Sequence, residues 1–459
     1  MKNHGETALT ETHLTTELIN TSRATSAPDF CAAVREIILI ASSSRGGSSV
    51  FSEILRHSRE LLHFKGEINP FLVLAGLTFP HSGRADDSLD AADAGPQNAG
   101  KLARLTKEMA LDVGIGGDMD LNEDLNLSRF MHDLHWRLSV QWPEIAIDQG
   151  FLFERIRATL AELCRDHGWS RGGFADPQLF HVLLLKKLRS EYPAINPYYY
   201  DLRPDLIERF CPETERNYDC PSSCIIEEPP FIPIVPRQTA DREMATNMPL
   251  ILKTPSNVYR LPFLKKVFPN ARFRILHLVR NPADSINGLV DGWLYHGFFS
   301  HQIKKGLNIK GYSDRFPVWG KKWWKYDLPP GWEEFVDQPL EFVCGHQWNS
   351  AHRQILTCQE ENRDDYLRVR FEDVIGPVEI RRRVFAGIID WLGIEGREIM
   401  TAATVDDLPP IMTTTTLPPR QRRWFKKIAI IRPVLTDPKL GIRSIARELG
   451  YSLNEELKG

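Results

Sequence analysis

The sequence predicts an α/β protein: a three-layer arrangement with a central parallel sheet, helices on both faces and a large, mainly helical insertion. Three observations carry this. The stretch "IILIASSSRGGSSVFSEIL", residues 37–55, is an apolar run that stops at a Ser/Gly loop around one Arg and then becomes helical in pattern. From residue 249 onward, apolar runs of strand length ("PLILK", "FRILHLV", "YLRVRF") alternate with amphipathic helical stretches. Strands that alternate with helices require crossover connections and therefore a parallel sheet. Between residues 80 and 248 this alternation is missing, and amphipathic helical stretches such as "LSRFMHDLHWRLSVQW" and "LFHVLLLKKLRSEY" take its place.

Residues 1–34 begin the chain as a polar, flexible tail with Glu6, Glu11 and Glu17 and no apolar segment of signal-peptide length. Residues 35–459 then form one domain. Its opening, 35–79, reads as βαβ: the first strand, the helix "FSEILRHSRELL" and the short second strand "LLHF". The insertion spans 80–248 and ends in the Pro-rich "EEPPFIPIVPR". After it come strand "PLILK", helical "NVYRLPFLKKVF", strand "FRILHLV" and helix "ADSINGLVDGWLY". A long aromatic loop and a helix over about 337–362 precede strand "YLRVRF" and helix "GPVEIRRRVFAGIIDWLG". Residues 410–459 form a basic segment and a terminal helix. In open α/β sheets ligands sit beyond the carboxyl ends of the strands. Arg45 and Arg280 both fall at that end of their strands.

The chain has 459 residues, 42% hydrophobic and 25% charged, with a net charge of −3. No global field therefore recruits nucleic acid or an anionic membrane, and any anion must be held by local clusters of Arg and Lys. No apolar run reaches the roughly 18 residues a membrane span requires, so the expectation is a soluble, cytoplasmic protein. The seven cysteines are an odd number on a long chain, which argues against a disulfide framework. Cys211, Cys220 and Cys224 cluster, but their spacing fits no zinc finger or ribbon. "DMDLNEDLN" imitates a calcium loop at Asp118, Asp120, Asn122 and Asp124. Glu123 stands where that loop needs Gly, and Arg129 where it needs a bidentate Glu, so a solvated acidic turn that caps the next helix is expected.

The opening loop is not a Walker A sequence, because no Lys stands at the helix start. Instead Arg45 precedes Gly46 and Gly47, and Ser48 and Ser49 open the helix. Backbone N–H groups, two hydroxyls and the helix dipole there suit a compact tetrahedral anion; the alternative is an ordinary turn and N-cap. With "LKTP", "FPNARF", "HLVRNPADS" and "YLRVRFEDV…WLGI", the loop resembles the sulfotransferases that use 3′-phosphoadenosine 5′-phosphosulfate (PAPS). The resemblance covers about 35–79 and 249–430, and leaves the insertion unexplained. It implies a P-loop-like fold, PAPS as donor, 3′,5′-ADP as product and no required metal. It further implies that Arg45, Gly46, Gly47, Ser48 and Ser49 grip the 5′-phosphosulfate and that Arg280 grips the 3′-phosphate. The family usually has Ser eight residues after that Arg. This chain has Gly288 there, and Ser285, one turn earlier, is the substitute expected. The segment "LPPRQRRWFKK" resembles the family's late closing segment, with Arg422 and Arg423 on the 3′-phosphate and Trp424 at the adenine. A solvated charge run is the alternative.

Sulfuryl transfer needs alignment, stabilisation of the leaving oxygen and a base for the acceptor proton. Arg45 is expected at the bridging oxygen and Lys253 at the sulfuryl oxygens. Cytosolic members of the family carry a His two residues after such a Lys, and here that residue is Pro255. Carbohydrate- and lipid-directed members use a Glu after the second strand, which points to Glu67, with His63 as its rival. The catalytic set is thus Glu67, Arg45 and Lys253, acting on a hydroxyl-bearing acceptor. Trp319, Trp323, Trp324 and Trp332, interleaved with Lys321, Lys322 and Lys325, suit a sugar ring and lean the acceptor toward a glycan; plain packing of those rings is the alternative. Two other functions stay open: an ATP-dependent small-molecule or sugar kinase, and an inactive nucleotide- or sulfated-glycan-binding protein.

Overall fold

A computed structural model describes residues 27–116, 119–216, 225–361, 363–405 and 422–453. Its centre is a seven-stranded sheet of β1 (Glu36–Ala41), β2 (Leu62–His63), β3 (Gly114–Ile115), β4 (Gln238–Thr239), β5 (Leu250–Lys253), β6 (Arg272–Val279) and β9 (Tyr366–Arg370), in the order β4-β3-β2-β5-β1-β6-β9. The five strands β2, β5, β1, β6 and β9 run parallel, with Ile38 opposite Ile251 and Arg274, and Leu276 opposite Leu367. A two-stranded ribbon, β7 (Phe299–Gln302) with β8 (Trp323–Lys325), lies apart.

The central strands β1 and β5 are apolar on both faces, as parallel strands covered by helices on both sides are. Along β1 the side chains alternate between two cores. Ile37 and Leu39 enter one core with the helices Leu261–Val267 and Leu340–Glu361. Ile38 and Ile40 enter the other, with the helices Ser48–Arg56 and Val378–Leu392. The α/β layering read from the sequence is therefore present.

Four expectations are corrected. The sheet is mixed rather than wholly parallel, because the insertion contributes the antiparallel edge strands β3 and β4. At two residues each, these carry no readable alternation. The polar tail ends earlier than residue 34: a helix covers Ala27–Ala33, and Phe30, Cys31 and Ala33 are buried in the core. The insertion is helical but divided. Its helix Ala99–Asp112 packs Leu105 and Met109 onto the sheet's own core, whereas the helices Asp124–Gln141, Gln149–Asp166 and Pro177–Leu188 build a separate one. The C-terminal region holds two helices, Ile428–Thr436 and Ile442–Glu448, rather than one.

The aromatic region also resolves toward packing. Trp319, Trp323, Trp324 and Trp332 are all buried in one core cluster. Lys325 is fully buried, its ammonium 4.6 Å from the Trp319 ring centroid and 4.8 Å from that of Phe299. Lys321 and Lys322 point to solvent. The acidic stretch does lead into a helix, which starts at Asp124 with no side-chain cap; Asp118 lies outside the described residues. Cys211 is buried in the insertion core, while Cys220 and Cys224 also lie outside them. Among the described residues no helix is long and apolar enough to cross a membrane.

The insertion is fastened to the sheet by buried charge. Arg137, with no exposed surface, lies 3.4 Å from Asp112 and 3.4 Å from Glu227, and Lys65 lies 3.1 Å from Asp133. Burial alone would raise the Asp112 carboxyl, but the neighbouring Arg137 and Lys65 outweigh it and hold the group below its ordinary value. Arg137→Met leaves Asp112 and Glu227 buried without that cation. We expect a loss of about 3–5 kcal/mol in urea unfolding; a loss below about 1 kcal/mol would mean the network contributes little.

Candidate functional site

The carboxyl ends of β1, β2, β5 and β6 open onto one cavity of about 690 Å³. Parallel pairing brings the expected residues together there. Arg45, Gly47, Ser48 and Ser49 follow β1, Glu67 follows β2, Lys253 ends β5 and Arg280 follows β6, and all of them line the cavity.

The loop after β1 is shaped by two unusual backbone positions. Gly47 has φ +98°, and a Cβ there would stand 2.2 Å from the Phe371 ring, so only glycine fits. Arg45 adopts φ +60° with a full side chain, a conformation that costs about 1–2 kcal/mol. It is held from both ends. Arg280 Nη1 donates to the Arg45 carbonyl at 3.0 Å, and the Arg45 guanidinium lies over the Phe298 ring at 5.6 Å. The helix Ser48–Arg56 begins without a side-chain cap. No capping side chain therefore covers its first N–H groups, which stand where Ser48 and Ser49 form the cavity wall. Gly46 closes the turn with its N–H on the Ser43 carbonyl at 3.0 Å.

Around this loop the wall is cationic. Arg45, Arg280, Arg381 and Arg423 all line it. Arg280 lies over the Phe371 ring at 5.2 Å, and among the described residues it forms no ion pair. Burial, with Arg45 and Arg423 nearby, lowers its pKa, while Asp284 and Glu372 oppose the shift. Arg423 is 3.3 Å from Asp291. A half-buried cation without a carboxylate partner is costly unless an anion joins it.

At the middle of the cavity Lys253 Nζ lies 2.5 Å from Glu67 Oε1 and 3.2 Å from Ser49 Oγ. One ammonium thus joins the loop to the carboxylate. Beyond it the wall turns acidic and apolar. Asp327 accepts from Ser44 Oγ at 2.5 Å and Tyr259 Oη at 3.1 Å, and burial pushes its carboxyl up to about 6. Glu228 accepts from Ser300 Oγ at 2.5 Å; burial, opposed by that hydrogen bond and helped by Glu67, pushes it up to about 7. Asp87, fully buried, lies 3.1 Å from Arg260 and 3.5 Å from His301 Nε2. Burial would raise its carboxyl, but His301 and Arg260 hold it well below the usual range.

Four expected residues do not line the cavity: Gly46, whose N–H is taken by the Ser43 carbonyl, and Ser285, Trp424 and Arg422. Ser285 is buried with its hydroxyl unpartnered and does not line the cavity; Asp284, Asn287 and Gly288 of its helix do. A Cβ on Gly288 would lie 3.8 Å from Arg280 Nη1, so position 288 faces the site and position 285 the core. Trp424 is buried beside Phe425, at 4.4 Å between rings, inside the core cluster and away from the cavity. Arg422 is exposed and adopts φ +60°. It reaches the site only through its backbone N–H, which donates to Asp284 at 3.1 Å. The basic segment up to residue 421 lies outside the described residues. His63 is buried, and burial, with Arg56 and Arg237, holds it well below its ordinary pKa. It is a core residue. The sequence reading missed Arg381, Phe371, Glu228, Asp327 and the Asp87–His301 pair. Only helical phase along "GPVEIRRRV" could have singled out the first.

Comparison with known proteins adds the following. Residues 143–301, about a third of the chain, match a model described as "Sulfotransferase family". The matched span includes much of the insertion that the sequence reading left outside the resemblance, and ends just beyond the Arg280 helix. Among solved structures, the sulfotransferase domain from the curacin biosynthetic pathway is 11% identical with a TM-score of 0.32, covering 91% of this chain and 99% of its own. The sulfotransferase domain from the Synechococcus PCC 7002 olefin synthase is 13% identical with a TM-score of 0.31, covering 88% and 96%. No residue is placed from either. No curated protein is significantly similar to the chain.

Glu228 gives the site a pH signature. Its carboxyl rises from an ordinary 4.5 to about 7 in the folded protein, so the folded state keeps a proton that the unfolded chain has lost. The stability this contributes is complete below about 4.5 and disappears as pH rises through about 7. Glu228→Gln removes the titration. The Tm of the variant minus that of the wild type is expected to increase between about pH 5 and about pH 8.5. A difference independent of pH would contradict the assignment.

Proposed function

We propose that this chain, about a third of which matches a sulfotransferase family model, is a sulfotransferase that moves the sulfuryl group of PAPS to the hydroxyl of an acceptor by in-line displacement. The observation that carries the reading is Arg280: a half-buried guanidinium without an ion pair among the described residues, hydrogen-bonded to the loop at an uncapped helix start. That pairing of cation and free N–H groups suits a donor with two anionic ends.

The residues fit the donor as follows. The first N–H groups of the helix Ser48–Arg56 and the Ser48 and Ser49 hydroxyls hold the 5′-phosphosulfate. Arg280 holds the 3′-phosphate, helped by Arg423. Asn287 and Gly288 replace Ser285 in this role, and Phe371 with Ile375 replaces Trp424 as the apolar wall for the adenine. Arg45 stabilises the oxygen between phosphorus and sulfur as charge builds on it, a contribution of about 3–4 kcal/mol for a preorganised donor. Lys253 steadies the sulfuryl oxygens, and needs no metal to do so. Glu67 takes the proton of the attacking hydroxyl. The bond from sulfur to the acceptor oxygen forms as the bond to the 5′-phosphate breaks, the electron pair leaves with 3′,5′-ADP, and the proton resides on Glu67.

The glycan preference loses its support, since its four tryptophans are core residues. The place of action proposed is the cytoplasm, and no nucleic acid is needed as partner.

Lys253→Ala is expected to lower kcat about 10²–10³-fold and Glu67→Gln about 10²–10⁴-fold, read as 3′,5′-ADP release from PAPS. The affinity of both variants for 3′,5′-ADP should stay within a few-fold of wild type. Unchanged kcat in either variant would remove that residue from the reaction.

A further inference from the structure

Resting on the sulfotransferase reading, we infer that the acceptor is a hydroxyl compound with an apolar body and no anionic group, and that Glu228 is the residue that excludes anions. Arg45, Arg280, Arg381 and Arg423 line the cavity around the loop after β1, and its apolar lining includes Val73, Ile225, Ile226, Ile232 and Phe299, with Phe298 beneath the Arg45 guanidinium. The same lining carries the carboxyl groups of Glu67, Asp87, Glu227, Glu228 and Asp327.

The cations beside these carboxyl groups are already engaged by the protein's own acids. Arg260 is 3.1 Å from Asp87 and donates to Asn69 Oδ1 at 2.7 Å. Arg137 lies between Asp112 and Glu227, Lys253 is on Glu67, and His301 faces Asp87. Glu228 and Asp327 have hydroxyl partners, Ser300 for the first and Ser44 with Tyr259 for the second, and among the described residues neither forms an ion pair, with His301 the nearby imidazole that favours the charged form of Glu228. An acceptor carboxylate or sulfate entering here would meet more acid than base in a desolvated wall, and its own desolvation would go uncompensated. A neutral hydroxyl avoids that cost and can bond to Glu228 or Ser300, while its carbon body covers the Ile and Phe side chains. The volume points the same way. A drug-sized ligand alone needs about 300–1,000 Å³, so a cavity of about 690 Å³ that also holds the donor takes the reacting end of a small acceptor.

The test uses matched pairs: octanol and phenethyl alcohol against their carboxylate-bearing counterparts of the same length. Transfer from PAPS is measured at about pH 8, with 3′,5′-ADP binding measured in parallel. We expect kcat/KM for the neutral member to exceed that of its anionic counterpart roughly tenfold or more, and Glu228→Gln to narrow the ratio. Equal or reversed preference, an unchanged ratio in the variant, or no transfer to either neutral alcohol while 3′,5′-ADP binds would overturn the inference. Failure to bind 3′,5′-ADP at all would instead sink the donor reading, and this inference with it.

Discussion

The hydrogen bond from Arg280 to the carbonyl of Arg45 is the contact on which the site depends. It ties the residue after β6 to the loop after β1, and those strands are neighbours in register, with Ala41 opposite His277. The bond stabilises Arg45 in a left-handed conformation that its side chain disfavours. It also fixes two guanidiniums on one side of the cavity. Two like charges so placed repel each other, and Arg423 adds to the repulsion. An arrangement of this kind is tolerable in an empty protein only at some cost in stability, and an anion bound between the cations offsets that cost. Strained positions such as Arg45 are common at functional sites.

From that constraint follows the polarity of the whole cavity. The cationic end is built from the loop after β1, the start of the helix Pro282–Trp293, and the late residues Arg381 and Arg423. The acidic and apolar end comes from the segment after β2, the chain at 225–232 and the ribbon residues Phe299 to His301. Lys253 stands at the junction, bonded to Ser49 on one side and Glu67 on the other. The helical insertion participates through Arg137, whose buried contact with Glu227 anchors the chain segment that carries Glu228.

Much of this was legible in the sequence wherever a residue's role is set by local pattern. Strand, Ser/Gly loop and helix at 37–55 put Arg45, Ser48 and Ser49 after β1, and the end of the apolar run at Val279 put Arg280 after β6, where all four line the cavity. Glu67 and Lys253 met because their strands are parallel neighbours, which the alternation of elements implied. What failed depended on which way a side chain turns. Ser285 and Asn287 lie on one helix, but only the second faces the cavity, and a phase error of one residue is about 100°. Trp424 was placed at the adenine by the family resemblance, and the tryptophans at 319, 323, 324 and 332 suited a sugar ring because aromatic and basic residues alternate there; the rings went to the core and Lys321 and Lys322 to solvent. β3 and β4 escaped notice because strands of two residues carry no period. Glu228 and Asp327 stood in stretches without pattern, and only the fold brings them to the same wall as Glu67.

The central claim is that Arg280 and the loop around Arg45 form a site for a nucleotide with phosphates at both 3′ and 5′ positions. Calorimetric titration tests it most directly, with 3′,5′-ADP beside ATP-magnesium, on wild type and on Arg280→Ala. The account predicts binding of 3′,5′-ADP in preference to ATP-magnesium, and a loss of about 2–5 kcal/mol in the variant, as truncating one partner of a buried charge pair costs. Preference for ATP-magnesium, or equal affinity for 3′,5′-ADP with and without the Arg280 guanidinium, would contradict it.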